Sequence, residues 1–139
     1  MPELPEVETV RRSLERRLEG IQIVGVELYL PRLVKWPEPD VFIQRLENRR
    51  IAAVRRTGKY LRLVLDNATE LVIHLKMTGQ LIFRGQESFA GGHPNDSLIG
   101  KLPDRSTRVQ IDFIDGSRLF FNDQRKFGWV KLLPTDEVK

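Results

Sequence analysis

The apolar and polar positions open on one helical stripe and then change to strand periodicity. Val7, Val10, Leu14 and Leu18 recur at three- and four-residue steps, which predicts an amphipathic helix over residues 5 to 19. Pro5 suits its first turn and Gly20 its end. Arg11, Arg12, Arg16 and Arg17 fall off the stripe and read as a solvated face. Residues 21 to 30, IQIVGVELYL, are β-branched and apolar and predict a strand. A proline-punctuated connection from Pro31 to Pro39 holds Trp36. Asp40 is placed to cap a short second helix through about Asn48, with Val41 or Phe42 and Leu46 turned inward.

The remainder reads as β structure. Residues 51–56 and 60–66 flank Thr57-Gly58-Lys59, and residues 71–76 and 80–84 flank Met77-Thr78-Gly79. Residues 108–114 and 118–122 flank Asp115-Gly116, a strong hairpin signal, and 129–133 add a further strand. Successive hairpins predict a mainly β chain with two flanking helices, an antiparallel β-sandwich. Between Gly85 and Ser106 lies a long loop rich in Gly, Pro, Asp and Ser. No internal repeat is visible.

Composition narrows the class. A chain of 139 residues with 40% hydrophobic and 30% charged content is one domain with room for a core. No apolar run is long enough to span a bilayer, and the first residues do not read as a signal peptide. With no cysteine there is no disulfide and no thiolate metal site, which fits a reducing cytoplasm. Two histidines far apart give no metal-ligand spacing, so no metal site is expected. A net charge of +4 and a pI near 9.7 are compatible with a polyanionic partner.

Candidate chemistry concentrates at the start, Met1-Pro2-Glu3-Leu4-Pro5-Glu6. Trimming of Met1 before the small Pro2 leaves a secondary amine. An α-amino group titrates near 7.7–8.0, so much of it is unprotonated at neutral pH and nucleophilic toward carbonyls. The adduct of a secondary amine with an aldehyde is a permanently charged iminium, a strong electron sink. Glu3 and Glu6 lie one helical turn apart beside it, suited to moving protons. Proline and acidic residues are also what any helix start favours.

Three tips carry further candidates, each with a structural alternative. Lys59 follows a bend at Gly58 and is either a solvated turn lysine or a placed cation. His74 is a hydrogen-bonded strand histidine or an anion contact. Met77 is gap-filling core or an exposed apolar wedge for a base stack. In Asn122-Asp123-Gln124-Arg125-Lys126-Phe127-Gly128, Phe127 is core or fills an emptied stack. Arg125 is an ordinary turn cation or offers paired donors to a base.

The opening MPELPEVETVRR resembles that of the formamidopyrimidine-DNA glycosylase family, bacterial base-excision enzymes that remove oxidised purines, and the similarity extends over the whole chain. It implies the N-terminal catalytic domain of a bifunctional glycosylase and abasic-site lyase. Its partner would be double-stranded DNA containing an oxidised purine, such as 8-oxoguanine or a formamidopyrimidine, or an abasic site. By resemblance Pro2 is the nucleophile, Glu3 moves a proton to the ribose oxygen, and Glu6 orients the site. Lys59 contacts the phosphate beside the lesion and assists strand cleavage. His74 contacts a phosphate, Met77 is the wedge, and Arg125 and Phe127 fill the gap beside Lys126. The family pattern His-Leu-Gly-Met-Ser-Gly has Lys76 and Thr78 here in place of Gly and Ser. Asp-Pro-Arg-Arg-Phe-Gly has Gln124 and Lys126. Where many relatives carry Lys-His-Asp-His, this chain has Arg105-Ser106-Thr107-Arg108, so a phosphate contact falls on Ser106 with Arg105 and Arg108 supplying charge. The family's helix–two-turn–helix segment and zinc finger are absent from these residues, so zinc is expected only in that missing finger. A monomer, cytoplasmic and associated with the bacterial nucleoid, is the implied state. A tautomerase using an N-terminal proline and a non-enzymatic nucleic-acid-binding β domain are the other classes open. A tautomerase would continue from Pro2 into a strand.

Overall fold

A computed structural model describes residues 3–138. The helix α1 spans Leu4–Leu18, with Val7, Val10, Leu14 and Leu18 all buried. Gly20, at φ +84°, ends it in the left-handed region and donates its amide to the Ile51 carbonyl at 2.7 Å. The second helix, α2 (Pro39–Leu46), buries Phe42 and Leu46. Asp40 does not cap it: Glu38 holds the N-cap position without a side-chain bond, and Asp40 lies in the first turn. Pro39 takes the first helical position, which suits its fixed φ, and so starts the helix earlier.

The strands are β1 (Ile23–Leu28), β2 (Val34–Trp36), β3 (Ile51–Thr57), β4 (Tyr60–Leu65), β5 (Thr69–His74), β6 (Gly79–Arg84), β7 (Phe89–Gly92), β8 (Thr107–Phe113), β9 (Arg118–Asp123) and β10 (Trp129–Pro134). They form two five-stranded sheets, ordered β1-β8-β9-β6-β7 and β2-β10-β5-β4-β3. Their inner faces meet in one core that includes Ile51, Leu63, Leu71, Leu81, Ile111 and Phe121. α1 packs on the edge strands β3 and β7, and α2 on the edge strands β1 and β2, so each helix covers one side of the sandwich.

Pairing is antiparallel except that β2 runs parallel to β10. The β3–β4 and β8–β9 hairpins form where expected. The stretch around Met77 is not a hairpin: β5 and β6 belong to different sheets, and residues 75–78 cross between them. The cause is Leu75, which is buried in the core as a pivot, with the Gly79 amide bonded to its carbonyl at 2.9 Å. Two strands, β2 and β7, lie in stretches expected to be irregular. Prolines flank the first and Gly91-Gly92 dilutes the second, so neither shows strand alternation, and pairing with a neighbour imposes the extended form. The rest of the 85–106 segment folds over the outer face of β6. There Gln80 donates to the His93 carbonyl at 2.6 Å and to Asn95 at 2.7 Å. Among the described residues no helix is long and apolar enough to cross a membrane.

Candidate nucleic-acid interface

The end of β3, the start of β4, the end of β5 and the starts of β6, β8 and β10 all meet at one end of the sandwich, as their registers require. α1 is directed to the same end. It runs antiparallel to β3, and Glu8 accepts from Arg56 Nε at 2.9 Å beside the Gly58-Lys59 turn. Arg11 joins the same carboxylate at 2.9 Å, and Arg12 does so at 2.9 Å. These bonds from Arg11, Arg56 and Arg12 hold the Glu8 carboxyl well below the ordinary range. Arg11 is thus half-buried rather than solvated, and it also reaches the Val54 carbonyl at 3.3 Å. The helix rises about 1.5 Å per residue, so Glu6 and Glu3 lie within about 8 Å of Glu8 along the axis, toward the turn. Both are exposed. Pro2 lies outside the described residues.

His74 sits in a cross-strand aromatic row, with its ring centroid 5.0 Å from Tyr60 and 5.6 Å from Trp129. The Lys76 amide donates to its Nδ1 at 3.0 Å, so the proton of the neutral ring is on Nε2. Burial, reinforced by Lys76 and Lys59, pushes the imidazole below its ordinary pKa. Met77 and Phe127 are 45% and 49% exposed, so neither is core. The Arg125 guanidinium lies 4.9 Å over the Phe127 ring. Lys126 is exposed beside it.

Ser106 is buried, and its hydroxyl donates to Asp104 at 2.7 Å, as does its amide at 2.8 Å, so in the DNA-free chain its proton is engaged by that carboxylate. Burial pushes the Asp104 carboxyl up, but bonds from Ser97, Ser106 and Thr107 outweigh it and leave the group below its usual value. The expected charge is present. Arg105, Arg108 and Lys126 line an open cleft of about 570 Å³ next to Ser106. Arg108 also donates Nε to the Asp123 carbonyl at 2.9 Å.

Sequence reasoning missed the residues that join the tips. Asp123 is fully buried and accepts from Thr78, from the Gly128 amide at 2.6 Å and from the Arg125 amide at 3.2 Å. An acidic residue among cations, two positions before Arg125, was the available signal. Among the described residues no group of His, Asp and Glu side chains is placed to hold a metal ion.

Fold and site together define a helix-flanked β-sandwich that presents two exposed apolar side chains within a basic rim. Residues 1–130 match the profile described as formamidopyrimidine-DNA glycosylase N-terminal domain, and the chain belongs to that family. It is 42% identical over 138 residues to the formamidopyrimidine-DNA glycosylase of Pelotomaculum thermopropionicum, covering 99% of this chain and 45% of that one. The similarly named protein of Chloroflexus aurantiacus is 44% identical over 134 residues, covering 96% and 43%. The structure of the Lactococcus lactis enzyme bound non-covalently to DNA containing an AP site superposes with a TM-score of 0.82 at 31% identity, covering 99% of this chain and 47% of that one. A mutant of that enzyme with Fapy-dG containing DNA gives 0.82 at 32%, covering 98% and 45%. The chain spans about half the length of the curated relatives it matches.

Proposed function

We propose that this chain is the catalytic half of a base-excision enzyme, a DNA glycosylase and abasic-site lyase acting on oxidised purines in duplex DNA. The observation that carries the reading is convergence. The start of α1, the Lys59 turn, the His74–Gly79 crossover and the 123–128 loop share one basic end of a domain whose relatives are formamidopyrimidine-DNA glycosylases. The lesion leaves the duplex at a cost of a few kcal/mol, offset in part by Met77, Arg125 and Phe127 entering the vacated stack. Pro2, once Met1 is removed, attacks the sugar C1′ and the base departs with the bonding pair. Glu3 supplies the proton that lets the ribose ring oxygen leave. The resulting iminium acidifies the C2′ proton, and the electron pair left by its loss expels the 3′ phosphate. The conjugated iminium that remains then loses the C4′ proton, and that second pair expels the 5′ phosphate. Glu6 orients this site. Lys59 and the Nε2–H of His74 hold phosphates, with Lys76, Arg105, Arg108 and Lys126 extending the cationic rim. Zinc, implied only for a finger beyond these residues, finds no donor cluster among those described and enters no step. The cellular setting is the bacterial cytoplasm, at the nucleoid.

The test is borohydride reduction with abasic-site duplex, followed by peptide mass spectrometry. A covalent adduct on Pro2 is expected, and an extra residue ahead of Pro2 abolishes it. An adduct on a lysine instead removes Pro2 from the mechanism. In a full-length relative carrying these residues, Glu3→Gln is expected to stop base excision while leaving DNA binding largely intact.

A further inference from the structure

Thr78 and Asp123 come from segments 45 residues apart, yet their side chains bond directly. Thr78 belongs to the crossover that carries Met77. Asp123 begins the loop that carries Arg125 and Phe127. One carboxylate oxygen of Asp123 takes the Thr78 hydroxyl, and the Arg125 amide points at both groups, 3.2 Å from Asp123 and 3.3 Å from Thr78. The other oxygen takes the Gly128 amide at 2.6 Å. Asp123 is fully buried and Thr78 nearly so, where such bonds are strongest. Two glycines permit the approach. A Cβ on Gly79 would lie 2.4 Å from the Leu75 carbonyl, and one on Gly128 would lie 2.9 Å from both the His74 carbonyl and the Asp123 carboxylate. Each segment also holds a lysine in the left-handed region directly before its exposed apolar residue: Lys76 at φ +54° before Met77, and Lys126 at φ +63° before Phe127.

We infer that Thr78 and Asp123 are positioning residues whose bond joins the two segments into one rigid unit. Met77, Arg125 and Phe127 then enter DNA as a single wedge, not as two independent tips. What the wedge enters rests on the function proposed above, but the staple itself is a property of the DNA-free chain. Preorganisation matters because each side chain immobilised on binding loses conformational freedom, and a rigid pair loses less.

The test uses the 139-residue chain with Thr78→Val, which keeps volume and removes the hydroxyl, and Thr78→Ser, which restores it. Without DNA, amide exchange at Arg125 and Gly128 is measured with methyl relaxation of Met77. Thr78→Val is expected to speed exchange at both amides by about tenfold and to raise Met77 mobility together, with Thr78→Ser returning all three. Asp123→Asn, which keeps the shape, is expected to move the same probes. A change confined to the crossover, with Arg125 and Gly128 unmoved, overturns the staple. With abasic-site duplex at low salt, Met77→Ala and Phe127→Ala are combined in a double-mutant cycle. Their losses are expected to be non-additive by about threefold or more, and additive once Thr78→Val is present. Additivity in both backgrounds overturns the single wedge. Equal binding of lesion and intact duplex by every variant, with the exchange coupling intact, overturns the DNA reading while the staple stands.

Discussion

Single residues at this end are set by backbone conformation as much as by side-chain chemistry. Lys76 replaces a glycine of the family pattern yet keeps φ at +54°. An L-residue in that region is strained by about 1–2 kcal/mol, part of which a glycine's freer unfolded state would cancel. Lys76→Gly is therefore expected to raise the unfolding free energy by about 0.5–1 kcal/mol, read from denaturation midpoints. An unchanged midpoint would mean the turn carries no strain. His74 makes a second test. Its imidazole is held below the ordinary 6.5 by burial and then by Lys76 and Lys59. In that case the unfolded ring takes up its proton first, so the contribution of His74 to stability is present above about 6.5 and lost as pH falls below it. NMR titration should give a depressed midpoint with the neutral proton on Nε2, and bound phosphate should raise it. The exposure of Met77 stayed open in the sequence, because an apolar side chain argues for the core and a place between two strands for the surface. The His74 tautomer was not legible, because it depends on where the Lys76 amide points.

Elements were legible wherever burial left a clean period. The stripe of α1 and the turns at Gly58 and Gly116 formed as the pattern indicates. Pairing partners were less legible. Two strands joined by a short polar turn read as a hairpin whether they share a sheet or not, and only the burial of Leu75 separates the cases for β5 and β6. Polar residues inside strands were also hidden. Glu70 is fully buried in β5, paired with Arg62 of β4 through bonds of 2.7 and 3.0 Å. The carboxylate beside Arg62 raises the guanidinium pKa further. Removing one partner strands the other charge. Arg62→Met is expected to destabilise the chain by about 3 kcal/mol, near the low end for a buried pair because Arg62 keeps a water-facing edge. Adding Glu70→Met should recover most of that loss. Urea titrations of the single and double variants decide it, and a double variant no better than Arg62→Met would show that the pair is needed for more than charge balance.

At the scale of the whole molecule, the fold gathers the candidate side chains from both sheets at one end, with a helix along each side of the sandwich. The same geometry limits what these residues do alone. Specific protein–DNA interfaces bury about 1,000–2,500 Å² of protein surface, and single small modules less. Relatives are about twice as long, so under the function proposed above this chain offers part of such an interface. Under that same proposal, its rim offers Lys59, Lys76, Arg105, Arg108 and Lys126 as cations for phosphates. Five contacts correspond to a slope of about −4.5 for log affinity against log salt, a loss of roughly 500-fold between 50 and 200 mM. The chain alone is therefore expected to bind lesion duplex weakly, with that steep salt dependence and little base excision at physiological salt. Trapping on an abasic aldehyde at low salt survives better, because no base has to be flipped. Lys126→Ala should lower the slope by about 0.9 for lesion and intact duplex alike. Met77→Ala should leave the slope unchanged and weaken binding to lesion duplex more than to single strands, since only a duplex has a stack to refill. Fluorescence titrations at two or more salt concentrations separate the two kinds of residue. If Lys126→Ala left the slope unchanged while Met77→Ala lowered it, the division between a cationic rim and an apolar wedge would be wrong.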